Sequence, residues 1–176
     1  MNNEFVFSKR IKSKDESIRT KMLNIAKDLN DVITLGRGDP DLDTAPHIIE
    51  SASKALVSGA THYTHPQGIE ELRINICEHL KEYHQLNYEK DEIVVTAGAQ
   101  SAIFTSILAL IDPDDEVIIP SPGYGSYDQA VEMANGKIVK LKLTEKNDFA
   151  ITAKELEKVI TEKTKIFCLI NPSNPT

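Results

Sequence analysis

Apolar positions along the chain recur at two alternating periods, and the alternation is most regular from Glu92 onward. Glu92-Ile93-Val94-Val95-Thr96 is a β-branched run, while Ile103, Ile107 and Leu110 recur three or four residues apart, so the pattern predicts a strand that turns into a helix. Asp112-Pro113-Asp114-Asp115 ends that helix, and Glu116-Val117-Ile118-Ile119 predicts a second, buried strand. A helix from Tyr127 to Asn135 stops at Gly136, after which Val139, Leu141 and Leu143 alternate with Lys140 and Lys142, the period of a strand with one wet face. Thr152 and Glu155 predict a capped helix carrying Leu156, Val159 and Ile160. Lys165 to Ile170 is almost wholly apolar, as a strand covered on both faces is.

Upstream of Glu92 the period is mainly helical. Ser13 and Glu16 have capping-box spacing for a helix with Ile18, Met22, Ile25 and Leu29 on one face, and Val32-Ile33-Thr34-Leu35 predicts a short strand. Gly36-Arg37-Gly38-Asp39-Pro40-Asp41 is a loop by its Gly, Asp and Pro content. Pro46 suits the first turn of a helix carrying Ile48, Ile49, Ala52, Ala55 and Leu56 and ending at Gly59. Thr61 to Gly68 then crosses to a helix with Ile69, Leu72, Ile76, Leu80 and Tyr83 inward.

Strand and helix alternating from Glu92 onward imply a mainly parallel sheet layered with helices, with ligands expected at the carboxyl ends of the strands. The loops after Thr96, Ile119 and Ile170 fall at such ends. At 176 residues, 40% hydrophobic and 27% charged, the chain can bury a sizeable core, and no apolar run approaches the ~20 residues of a membrane span. No secretory signal is visible in MNNEFVFSKRIKSKDES, so a cytoplasmic location is expected. A net charge of −7 with scattered Lys and Arg argues against a nucleic-acid surface, and the basic group from Lys9 to Lys14 reads as a solvated entry to the first helix. Cys77 and Cys168 read as small core residues, and no histidine pair has the spacing and company of a zinc site.

Ala97-Gly98-Ala99-Gln100-Ser101 carries the first candidate chemistry. Small residues at a helix N-terminus let unpaired amide donors and the helix dipole meet an anion, although an ordinary strand-to-helix turn has the same composition. A dinucleotide fold would need G-x-G-x-x-G after the first strand, and Gly98 stands without partner glycines.

Five stretches together, Gly38-Asp39-Pro40-Asp41, THYTHPQGIEELR, TAGAQSA, SPGYGSY and NPSNPT, resemble in residue and order the N-terminal part of class I/II aminotransferases, the fold-type I enzymes that use pyridoxal 5′-phosphate. The resemblance implies a three-layer α/β/α large domain with a mainly parallel sheet over residues 46–176, incomplete, preceded by a small-domain segment over residues 1–45. It implies cofactor-binding roles for Gly98, Ala99 and Gln100 at the phosphate, Tyr124 stacked on the pyridine ring, Asn174 at the ring's phenolic oxygen and Tyr63 at the phosphate of a neighbouring subunit, hence a homodimer. Gly38 resembles the glycine beside the substrate carboxylate. The family commonly has Thr or Lys where Gln100 stands. The implied reaction is amino transfer from an α-amino acid to a 2-oxo acid, with a lyase of the same fold or a non-catalytic aminotransferase-like binding module as alternatives. The family's catalytic lysine, its aspartate at the pyridine nitrogen and its substrate-clamping arginine follow the NPxNPT motif. The resemblance therefore implies a fragment that is inactive alone, binds cofactor weakly or not at all, and leaves apolar surface uncovered.

Overall fold

A computed structural model describes residues 8, 10, 18–33, 35, 38 and 40–176, which fall into two compact units meeting at the Thr64–His65 bond. In the first unit, helix α1 spans Ile18–Lys27 and α2 spans Pro46–Val57, with Pro46 in the first turn as its fixed φ favours. The apolar positions of α2 lie exposed: Ile48, Ile49 and Leu56 are each about half open or more, and no residue of the helix is buried. Val32, Ile33 and Leu35 form no strand. The expected capping box at Ser13 and Glu16, and Thr34 within the expected strand, lie outside the described residues.

In the second unit, α3 spans Glu70–His84, α4 Ala99–Leu110, β1 Glu116–Ser121, α5 Ser126–Met133, β2 Lys137–Lys142, α6 Ala153–Glu157 and β3 Thr164–Phe167. The three strands form a parallel sheet in the order β2-β1-β3. Glu116 pairs with Lys137 and Ser121 with Lys142, so β1 and β2 run in register for their full length. The β1–β3 ladder shifts between Glu116 and Val117, then continues past β3 through the Cys168 amide, which donates to the Ile118 carbonyl at 2.9 Å. Val117 and Ile119 pack with Ile107 and Ile111 of and after α4, Ala130 and Val131 of α5, and Cys168. Ile118, whose side chain alternation sends to the opposite face, is also fully buried, so both faces of the central strand are covered.

Several expected elements differ. The α4 stripe is Ile103, Ile107 and Ile111, while Leu110 is 62% exposed, because the helix buries positions four apart against α5 and the sheet. On α3 the buried residue is Arg73, and the covered face is shifted by one residue from the expected stripe: Leu72 and Tyr83 are exposed, Ile76, Cys77 and Leu80 half-buried. β3 is shorter than the apolar run, and Leu169 is 67% exposed.

The strand expected at residues 92–96 does not form. Lys90–Glu92 is a 3-10 turn, and Ile93 to Thr96 continue without a sheet partner among the described residues. A strand needs a neighbour to take its amides and carbonyls, and residues 93–96 pair with neither outer edge of the β2-β1-β3 sheet. Among the described residues, the sheet-like bond in the segment is from the Val95 amide to the Gln67 carbonyl, at 2.8 Å.

Candidate functional site

Helix α4 starts on Gly98, which has φ +82°, a conformation that favours a residue without a side chain, and whose missing Cβ would point into open space. Its amide bonds back to the Thr96 carbonyl at 2.8 Å, and the first intrahelical bond comes only at Ala102, to the Gly98 carbonyl. Among the described residues nothing accepts from the amides of Ala99, Gln100 and Ser101, and no side chain caps the helix. Three oriented donors thus surround an open space at the positive end of a twelve-residue helix.

The Gln100 side chain leaves this turn and crosses to the loop after β1. Its amide nitrogen donates to the Tyr124 hydroxyl at 3.0 Å and to the Ser126 hydroxyl at 2.9 Å. Tyr124 is half-buried and meets the Tyr127 ring edge-on, centroids 6.5 Å apart at 81°. The carboxyl end of β1 and the amino end of α4 are thereby joined in one site, as the parallel topology requires of a ligand crevice.

The approach to Gly98 is held by side chains in place of a ladder. The Arg73 guanidinium donates to the Lys90 carbonyl at 3.0 Å, to the Gln67 side-chain oxygen at 3.3 Å and to an Asp91 carboxylate oxygen at 3.4 Å. Gln67 in turn donates to the Asp91 carbonyl at 3.1 Å. Gly68, at φ +105°, lies so close to Val95 that an added Cβ would stand 2.8 Å from the valine Cβ and Cγ2. Lys90 also pairs with Glu70, which holds the Glu70 carboxyl below its ordinary range through that hydrogen bond and the ammonium charge, and raises Lys90 for the same reasons. Sequence reading missed Arg73 and Ser126. The signal for Arg73 was its place on the stripe Ile69, Arg73, Ile76, Leu80, where a charge has to find buried acceptors.

Gly98, Ala99, Gln100 and Tyr124 are therefore brought together. Asn174 is exposed and lines a cleft of about 370 Å³ with Pro120, Gly123, Phe149, Leu169 and Asn171, a cleft that Gly98, Gln100 and Tyr124 do not line. In the other unit, Tyr63 is fully exposed beside Thr61 and His62, and Gly38 is exposed, with nothing among the described residues within 4 Å of where a Cβ would stand. Burial, and secondarily Asp128, pushes the Cys168 thiol up, in keeping with a packing role. Among the described residues no group of three or more His, Cys, Asp or Glu could hold a metal ion, and no helix is long and apolar enough to cross a membrane.

The family model for aminotransferase class I and II matches residues 30–176. A probable aspartate aminotransferase of Methanocaldococcus jannaschii is 44% identical over 171 residues, covering 97% of this chain and 44% of the relative. The aspartate aminotransferase of Bacillus subtilis is 39% identical over 173 residues, 96% of this chain and 44% of the relative. Among solved structures, the aspartate aminotransferase from Rhizobium meliloti superposes with a TM-score of 0.92 at 38% identity, covering 98% of this chain and 44% of that one. The chain spans less than half the length of the curated relatives it matches.

Proposed function

The chain belongs to the class I and II aminotransferases, and from that membership we propose that it is the cofactor-binding front part of an enzyme that transfers an amino group from an α-amino acid to a 2-oxo acid with pyridoxal 5′-phosphate. The observation that carries the reading is the set of amides on Ala99, Gln100 and Ser101 that find no acceptor among the described residues, tied through Gln100 to an aromatic ring at the end of β1. The residues present fit the cofactor. A phosphate dianion is held best by several charge-assisted N–H bonds at a helix N-terminus, and the side-chain-free Gly98 leaves room for its oxygens.

Bound there, the cofactor supplies an electron sink for carbanion charge on the substrate. The chain's own residues bind and orient. With the cofactor bound, the amides of residues 99–101 would hold the phosphate, Tyr124 would offer its ring to the pyridine and Asn174 would donate to the phenolic oxygen, while Gly38 would let backbone approach the substrate carboxylate. Tyr63 reaches the phosphate site of a second copy in a homodimer, which suits its full exposure in its own unit. Residues 1–45 belong to the small domain and 46–176 to the large one. The reading assigns no proton-moving residue to this chain, and places the protein in the cytoplasm. Aspartate is the first amino donor to try, on the names of the relatives.

The test is amino transfer from aspartate to 2-oxoglutarate by the chain together with any sequence its gene encodes past Thr176. Transfer that depends on added pyridoxal phosphate is expected. A preparation that takes up the cofactor and transfers nothing from any common amino acid overturns the reading.

A further inference from the structure

Gln100 stands where the resemblance places a side-chain contact to the phosphate, yet its geometry serves another group. A carboxamide has two N–H donors and one carbonyl acceptor. The Gln100 nitrogen spends its donors on the Tyr124 hydroxyl at 3.0 Å and the Ser126 hydroxyl at 2.9 Å, both outside the helix turn that carries the free amides. What remains is the carbonyl oxygen, which repels an anionic oxygen. The ring of Tyr124 also meets the ring of Tyr127 near-perpendicularly, centroids 6.5 Å apart, a contact on the ring body and not on the hydroxyl. A hydrogen bond to the hydroxyl fixes the far end of the ring, where a small angular error moves the face most.

We propose that Gln100 is a positioning residue: it braces Tyr124 from the hydroxyl side, with Ser126 as its second anchor, and leaves the phosphate to the backbone amides of residues 99–101. The inference rests on the reading of Gly98–Ser101 as a phosphate seat and concerns how the site divides its work. Ring and phosphate are then recognised by separable groups, the ring through Gln100 and Tyr124, the phosphate through main chain alone. A side chain bonded to the phosphate would couple the two.

Nuclear magnetic resonance on the labelled chain tests the brace without any ligand. The Gln100 side-chain amide signals should move on Tyr124→Phe and on Ser126→Ala, while those of Gln85 stay. Unmoved Gln100 signals in both variants overturn the brace. Titration then separates ring from phosphate. Gln100→Ala should weaken pyridoxal and pyridoxal phosphate by the same factor, roughly tenfold for one lost hydrogen-bonded brace, and should leave the affinity for inorganic phosphate unchanged. Gln100→Glu, which can still accept from both hydroxyls but adds a negative charge, should keep pyridoxal and lose pyridoxal phosphate. Weakening of inorganic phosphate by Gln100→Ala overturns the inference while leaving the phosphate seat standing. Inorganic phosphate that moves no amide among residues 99–101 in the unaltered chain removes the seat itself, whatever Gln100 does.

Discussion

Val117-Ile118-Ile119 and Ile93-Val94-Val95 are two β-branched triplets in one compact unit, and they meet opposite fates. The first is wholly buried, paired on both edges. In the second, Val94 is 58% exposed and one backbone bond, Val95 to Gln67, stands where a ladder was expected. Side-chain type makes both segments competent to be strands, and pairing with a neighbouring strand decides which becomes one. The second triplet is nonetheless placed, because Gln67 and Gly68 meet it at Val95, and Arg73 holds Gln67 and the Lys90–Asp91 turn that precedes it. The segment that leads to the candidate site thus depends on a few polar contacts, whereas the sheet depends on burial.

Removing a core side chain should show the widest gap between the two regions. Ile118→Ala should cost about 2–5 kcal/mol in denaturant unfolding, and Val94→Ala within about 0.5 kcal/mol. Comparable losses would mean that residues 93–95 are packed as a strand after all. Gly68→Ala should cost about 1–3 kcal/mol through its collision with Val95. Val95→Ala made in the same chain should recover part of that loss, and simple additivity would remove the close approach as its cause.

Arg73→Met keeps an unbranched apolar stem, shorter than the arginine, and removes the donors. A loss of about 1–3 kcal/mol is expected, with faster amide exchange at Val95 and unchanged exchange at Val117 to Ile119. Faster exchange in both places would make Arg73 a general core residue. The smallest effect is the pH dependence of the Glu70–Lys90 pair, both groups being solvent-exposed. With its folded pKa depressed, Glu70 contributes above the ordinary carboxylate range, and the contribution fades as pH falls through the folded value. The Lys90–Glu92 turn should therefore loosen on acidification, and less so in Glu70→Gln.

What was legible in the sequence follows the same division. β1, β2, α4, α5 and the Thr152 cap were readable because their signals are local: runs of alternation, helical spacing, and a threonine whose hydroxyl accepts from the Glu155 amide at 3.3 Å. The strand at 93–96 was misread because pairing is a property of two segments. Arg73 escaped notice because a charge on an apolar stripe reads as an interruption until its acceptors, 17 and 18 residues away, are seen. At the site, the turn at Gly98 and the aromatic at Tyr124 were legible from motif order, while the bond between Gln100 and Tyr124 spans 24 residues and had no local sign.

The account turns on the amides that follow Gly98, and exchange at those amides tests it most directly. Titrated into the labelled chain, pyridoxal phosphate should shift the Ala99, Gln100 and Ser101 amide signals and slow their exchange with solvent, while pyridoxal, which lacks the phosphate, should leave them in place. Equal responses to the two compounds, or shifts confined to the cleft around Asn174, would contradict it.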